Sequence, residues 1–131
     1  MAYSESQPVV SLTAGSTFAV TDLYKFVEVN SSGHVVIGAS TAATNVVGTL
    51  LSPTGTTAGA GVEAVSVGLL SGIGKVYMAG STIAAGGTIG PSSAGFGAAP
   101  STDGLQVGIV IEGSSGTTGR IASVLFHRPL N

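Results

Sequence analysis

Two stretches of the sequence, VGTLLSPTGTTAGAGVEAVSVGLL at 47–70 and VGIVIEGSSGTTGRIASVLF at 107–126, follow one pattern. Each begins with Val-Gly and a short apolar strand, continues into a Gly/Thr turn, and enters a second strand of small and β-branched residues. The offset between Gly48 and Gly108 is 60 residues. Because β-branched runs between glycine-rich turns are typical of strands, the pair predicts two copies of one β-unit.

A fainter correspondence precedes these stretches. The segment GSTF at 15–18 matches GSTI at 80–83, and the turn at Gly33 matches the turn at Gly95. A solenoid needs at least about three repeats to bury its ends, so two copies favour halves that close around one shared core. The alternative is that Gly/Thr-rich β sequences resemble one another by chance.

The remaining strands are read from alternation and turn residues. The predicted strands include 24–29, a turn at 30–33, a strand at 34–37, and further strands at 62–69 and 121–126. No window has apolar residues at helical spacing. Gly and Ser/Thr clusters recur every eight to twelve residues or so, which is the spacing of an all-β barrel or sandwich.

The length and composition favour one folded domain. The chain has 131 residues, of which 44% are hydrophobic, 8% are charged and 21 are glycine. This length is enough to bury a core without disulfides or metals. We expect an N-terminal arm at 1–8 and a single β domain at 9–131, with repeated halves at approximately 15–69 and 80–126.

The charge inventory excludes several classes of partner. Four basic and six acidic side chains give a formal charge of −2, which is too few cations to neutralise nucleic-acid phosphates. We find neither a secretory signal nor an apolar run long enough to span a membrane. Since a soluble chain with so few charges tends to associate, we expect it to bury surface against partners.

No motif selects a catalytic, cofactor or metal site. Asp22, Asp103, His34 and His127 could belong to a hydrolytic triad, but no local pattern chooses among them. The glycines at 68–76 depart twice from a phosphate-binding loop, and the absence of cysteine removes thiolate metal sites. We predict no enzyme activity, no cofactor, no metal and no small-molecule substrate.

The predicted contact residues therefore lie on the surface. The arm is short and polar, and it is either frayed or ordered along a neighbouring chain. Two Gly/Thr turns and two arginines beside the last strand complete the set, the arginines either pairing with a partner's carboxylates or facing solvent. The residues are Ala2, Tyr3, Ser4, Glu5, Ser6, Gln7, Pro8, Thr56, Thr57, Thr117, Thr118, Arg120 and Arg128.

The order of these segments resembles the small decoration (cement) proteins of tailed-bacteriophage capsids. The phrase AGSTIAAGGTIGPSSAGFG at 79–97 carries most of the resemblance, with a turn, a strand starting near Thr88, a Gly-centred turn at 92–95, and then the Val-Gly strand and IASVLFHRP at 121–129. The resemblance covers the chain from about Val9 to Leu125.

This resemblance implies a compact β-barrel or β-tulip-like domain that binds the outer surface of an assembled head and stabilises it. The partner is then the major capsid protein, the protein is a homo-oligomer with a trimer favoured, and it lies on the virion after synthesis in the host cytoplasm. The alternative class is a tail-fibre, spike or receptor-binding module built from the same kind of β sequence.

Overall fold

The computed structural model describes residues 7–38, 46–55, 61–80, 82–100, 104–112 and 120–130. These residues form ten β-strands and two short 3-10 helices, and they contain no α-helix. The strands are β1 (Val9–Thr13), β2 (Phe26–Val29), β3 (Val35–Ile37), β4 (Val46–Leu50), β5 (Ala64–Leu69), β6 (Gly72–Tyr77), β7 (Thr88–Pro91), β8 (Gly97–Ala98), β9 (Gln106–Glu112) and β10 (Ile121–Leu130). The 3-10 helices are Val20–Asp22 and Ser93–Gly95. The all-β prediction is confirmed.

The strands form two five-stranded sheets with the same order. The first sheet runs β1-β5-β4-β2-β3, and the second runs β6-β10-β9-β7-β8, so each strand of the second sheet occupies the place of the strand five earlier. All of these pairs are antiparallel. We call residues 9–69 the first half and residues 72–130 the second half.

The pairing register is also the same in the two halves. Four residues are aligned side by side across each sheet, one from each of its four successive strands. In the first half this row, the first row, is Val9, Gly68, Thr49 and Phe26. In the second half the second row is Ile73, Leu125, Ile109 and Thr88.

Backbone hydrogen bonds outside the strands repeat in the same way. The Tyr24 N–H donates to Leu50 O at 2.7 Å, and the Gly86 N–H donates to Val110 O at 2.7 Å. Both donors have a positive φ, 68° at Tyr24 and 89° at Gly86. Because Tyr24 turns the backbone, β2 begins at Phe26, two residues later than the sequence predicted.

The expectation of a closed barrel is wrong, because the sheets are not closed. The outer strands of each sheet meet at a single parallel bridge, Ala14 with Val35 in the first half and Met78 with Gly97 in the second. The strands at this edge are only three residues long in β3 and two in β8. A single bridge is not a ladder, so each sheet stays open between its outer strands.

Two hydrophobic clusters form the core. The first contains only first-half residues, namely Ala14, Phe18, Val27, Val35, Leu50, Val65 and Val67. The second is built from second-half residues, including Met78, Ile89 and Phe126, together with Phe26 and Val46 of the first half. Because Phe26 and Val46 belong to the second cluster, the two sheets pack against each other through it.

Candidate interaction surface

The predicted contact residues fall into two groups with respect to the described chain. Gln7, Pro8 and Arg120 are described, and so is the backbone of Arg128 within β10. The others, Ala2, Tyr3, Ser4, Glu5, Ser6, Thr56, Thr57, Thr117 and Thr118, lie outside the described residues. Arg120 is exposed, and its carbonyl accepts a hydrogen bond from Met78 N–H at 2.8 Å.

Gln7 inserts its side chain between the two halves. Its Nε2 donates to Leu69 O at 2.9 Å and to Thr49 Oγ1 at 3.2 Å. A Cβ added at Gly68 or at Gly74 would meet the Gln7 amide, so these glycines make the space that it fills. Gln7 Oε1 is buried and accepts no hydrogen bond from the described residues. The end of the predicted arm is therefore part of the domain itself.

A cation lies over two aromatic rings where the halves meet. Lys25 Nζ is 5.5 Å from the ring centroid of Tyr77 and 5.2 Å from that of Phe96. The two rings stack with their centroids 5.4 Å apart. Because Lys25 belongs to the first half and both rings belong to the second, this cation–π contact holds the halves together.

Tyr24 strengthens the same contact. Its carbonyl accepts a hydrogen bond from Tyr77 N–H at 2.8 Å, and Lys75 Nζ lies 5.7 Å from its ring centroid. Gly95 of the second half packs closely against the first half, since a Cβ added there would lie 2.8 Å from Phe26 O and 2.7 Å from Ile37 Cγ2. The contact between the halves therefore includes a backbone hydrogen bond and a close approach of two backbones, in addition to the packing of side chains.

Asp22 fixes the position of the Lys25 ammonium group. Asp22 Oδ1 lies 2.8 Å from Lys25 Nζ, and Asp22 Oδ2 accepts a hydrogen bond from Ala19 N–H at 2.8 Å. Partial burial acts to raise the pKa of Asp22, but the hydrogen bonds from Lys25 and Ala19 and the Lys25 charge outweigh it. The pKa of Asp22 therefore lies below its ordinary 3.8.

The second row leaves large aliphatic side chains in solvent. Leu125 is 44% exposed and Ile109 is 39% exposed, and they are direct neighbours in the pairing of β9 with β10. Ile121, on the same face of β10, is 41% exposed. In the first row the corresponding residues, Gly68 and Thr49, are buried. The two halves therefore share a backbone but present different surfaces.

A separate open depression of about 420 Å³ lies in the first half. Val20 stands at its rim with 71% of its surface exposed. Thr54 Oγ1 accepts a hydrogen bond from Phe18 N–H at 2.9 Å and so joins its two sides. The depression is lined by Thr17, Phe18, Ala19, Val20, Pro53, Thr54 and Gly55. Thr54 and Gly55 lead into the first of the Gly/Thr turns that the sequence assigns to partner contact.

Among the described residues, no group of three His, Cys, Asp or Glu side chains is placed to hold a metal ion. No helix in the described ranges is long and apolar enough to cross a membrane. Of the triad candidates, Asp22 pairs with Lys25, while Asp103 lies outside the described residues.

Sequence reasoning missed the contact between the halves. Lys25, Tyr77 and Phe96 are far apart in the sequence and meet only because the sheets pack in one arrangement. The sequence placed Ile109, Val110 and Ile111 in an apolar strand but did not indicate that Ile109 is exposed. A scan against protein-family models and a search of the curated proteins both find no match to this chain.

Proposed function

We propose that this protein is a virion structural protein that binds the outer surface of an assembled phage head and stabilises it. The observation that carries the proposal is the open depression of the all-β domain, where Val20 is 71% exposed in a chain with only 8% charged residues. Exposed apolar patches on a charge-poor surface are typical of protein binding sites. The major capsid protein is the proposed partner.

The physical basis of stabilisation is linkage. A protein that binds the assembled lattice but not its separated subunits shifts the equilibrium toward the assembled shell by mass action. This role requires a matched surface and many copies, and it requires no chemical step. The family resemblance adds that the bound form is a homo-oligomer, with a trimer favoured.

We assign the capsid-facing surface to the depression in the first half, together with the arm and the Gly/Thr turns predicted from the sequence. Val20, Pro53 and Thr54 give the depression an apolar rim with a few hydroxyl groups. Long turns at one end of a β domain are common binding sites because a rigid sheet positions them. Arg120 is also exposed and can reach a carboxylate of the partner.

Co-sedimentation with expanded, undecorated phage heads tests the proposal, with unexpanded proheads as the comparison. We expect saturable binding at a fixed ratio to the major shell protein, and higher resistance of the decorated heads to heat. Val20→Glu should weaken this binding at least tenfold, because it places a charge in the apolar contact. Val62→Glu is the matched control, since Val62 is 75% exposed outside the depression.

Absence of binding to either particle would contradict the proposal and would favour the tail-fibre, spike or receptor-binding class. The two classes also differ in copy number. A decoration protein is present in numbers close to those of the shell protein, whereas a fibre or spike is present in far fewer copies.

A further inference from the structure

The contact between the two halves is not symmetric. The first half contributes Tyr24, Lys25 and Phe26, and the second half contributes Tyr77, Gly95 and Phe96. The shared register identifies the first-half counterparts of the latter three as Thr13, Gly33 and His34. Two different surfaces meet in this contact, and the repeated fold gives each half an equivalent of both. The contact within the chain uses one surface of the first half and the other surface of the second half, so one surface of each half is left over.

The corresponding surface of the second half is open, and its large apolar residues belong to the second row. The counterparts of Tyr24 and Phe26 are Gly86 and Thr88, which are both exposed, and a Cβ added at Gly86 would meet nothing within 4 Å. Beside them lie Ile109 and Leu125 of the second row. The first row is covered at the same positions by Gln7 and by the second half.

The unused surface of the first half is open in the same sense. Gly95 is buried, and an added Cβ there would clash with Phe26 O and Ile37, whereas its counterpart Gly33 is exposed with nothing within 4 Å. His34 and Thr13 stand where Phe96 and Tyr77 stand in the other half. In the described part of the chain, Gly33 and Gly86 therefore leave open the positions that Gly95 and Tyr24 fill in the contact between the halves.

We infer that the second row binds the first half of another copy of this chain, in the arrangement in which the first half packs on the second. The side chains suit this role. In the first row, Gly68 and Thr49 are small, and the Gln7 amide fills the space between the sheets. In the second row, Leu125 and Ile109 are large enough to fill that space themselves. The same backbone arrangement thus serves contact between chains without an equivalent of Gln7.

A contact between two different surfaces is heterologous, so a dimer still has one free surface of each kind. Further chains add to these free surfaces until the rotation from each chain to the next closes a ring. The inference concerns the free protein and does not depend on capsid binding. A failure of self-association would not contradict capsid binding, and a failure of capsid binding would not contradict self-association.

Molar mass in solution tests the inference, measured by light scattering on a sizing column and by sedimentation velocity. We expect the wild-type mass to be a multiple of the 12.7 kDa chain. The double variant Ile109→Thr, Leu125→Ser should have the mass of one chain and keep the wild-type far-UV circular dichroism spectrum. Val20→Ser is the matched control and should keep the wild-type mass. A wild-type protein that stays at 12.7 kDa, or a double variant that keeps the wild-type mass, would overturn the inference.

A mixing experiment distinguishes this contact from a symmetric one. Ile109→Lys blocks the second row, and His34→Lys blocks the opposite surface, so each variant alone should have the mass of one chain. Mixed together, they should form a species of two chains, because each variant keeps the surface that the other has lost. If the contact were symmetric, both variants would carry a defect in the same interface and the mixture would remain at the mass of one chain.

Discussion

The ammonium group of Lys25 lies 5.5 Å from the ring centroid of Tyr77, across the contact between the two halves. Phe96 stacks on Tyr77 and contacts the same cation, so one side chain of the first half is held by two rings of the second. We expect Lys25→Met to lower the free energy of unfolding by about 1–2 kcal/mol, the size of a partly desolvated cation–π contact. Urea denaturation of the two proteins measures the difference.

Lys25→Arg is the control for this prediction. A guanidinium group keeps the charge and stacks on aromatic rings, so most of the stability should remain. Equal losses in Lys25→Met and Lys25→Arg would mean that the positive charge of residue 25 does not stabilise the contact.

Asp22 makes part of this stability dependent on pH. Because its pKa in the folded protein is lower than in the unfolded chain, its contribution is fully present above about pH 4. It is lost as the pH falls through the folded-state pKa. Asp22→Asn should therefore destabilise the protein at pH 6, with the difference from wild type shrinking as the pH falls below the folded-state value.

Unfolding temperatures of wild type and Asp22→Asn, compared across acidic pH, measure this effect. Glu28→Gln is the comparison variant, since it also removes one carboxylate from the first half. A difference between Asp22→Asn and wild type that stays constant from neutral to strongly acid pH would contradict the assignment.

Substitution of Gln7 and deletion of the residues before it should have different effects, the first on stability and the second on binding to phage heads. Gln7→Ala removes two hydrogen bonds between the chain start and the β4–β5 region, and it should cost about 1–3 kcal/mol of unfolding free energy. Deletion of residues 2–6 should weaken binding to phage heads and leave the unfolding temperature unchanged. Ser11→Ala, at an exposed position of β1, serves as the control.

The outcome for Gln7→Ala is decided by calorimetry and the outcome for the deletion by co-sedimentation. A deletion that binds heads as wild type does would remove the arm from the capsid contact. A Gln7→Ala variant as stable as Ser11→Ala would show that the inserted amide contributes nothing to the packing of the halves.

Gly33 and Gly95 form a matched pair for the contact between the halves. Both have a positive φ, 79° and 77°, so alanine at either position costs roughly 1–2 kcal/mol in backbone strain. At Gly95 the added methyl group also meets Phe26 O and Ile37 Cγ2. We therefore expect Gly95→Ala to lose clearly more stability than Gly33→Ala in urea denaturation. Equal losses would mean that the close approach at Gly95 relaxes without cost.

The repeated pattern in the sequence predicted which strands of the first sheet have an equivalent strand at the same place in the second sheet. The Val-Gly strands at Gly48 and Gly108 are β4 and β9, and the turns at Gly33 and Gly95 lead into β3 and β8. The sequence did not predict that the sheets stay open, because that depends on how few residues β3 and β8 can pair. Nor did it predict the start of β2, where Tyr24 has a conformation that its residue type rarely takes.

The candidate surface was predictable only in part. The apolar strand after Gly108 follows from the sequence, but a run of consecutive apolar residues does not show which face of the strand is covered. That Thr49 is buried and Ile109 is open depends on Gln7 and on the packing of one half on the other. Such facts depend on contacts that are remote in the sequence and leave no local pattern.

The unequal membership of the two cores sets an order for folding. All buried members of the first cluster precede residue 70, so the first half can close its core as soon as that much of the chain has been synthesised. The second cluster includes Phe26 and Val46, and it is incomplete until the first half is in place. Because the chain emerges N-terminus first during synthesis, we expect the first half to act as the template on which the second half completes its core.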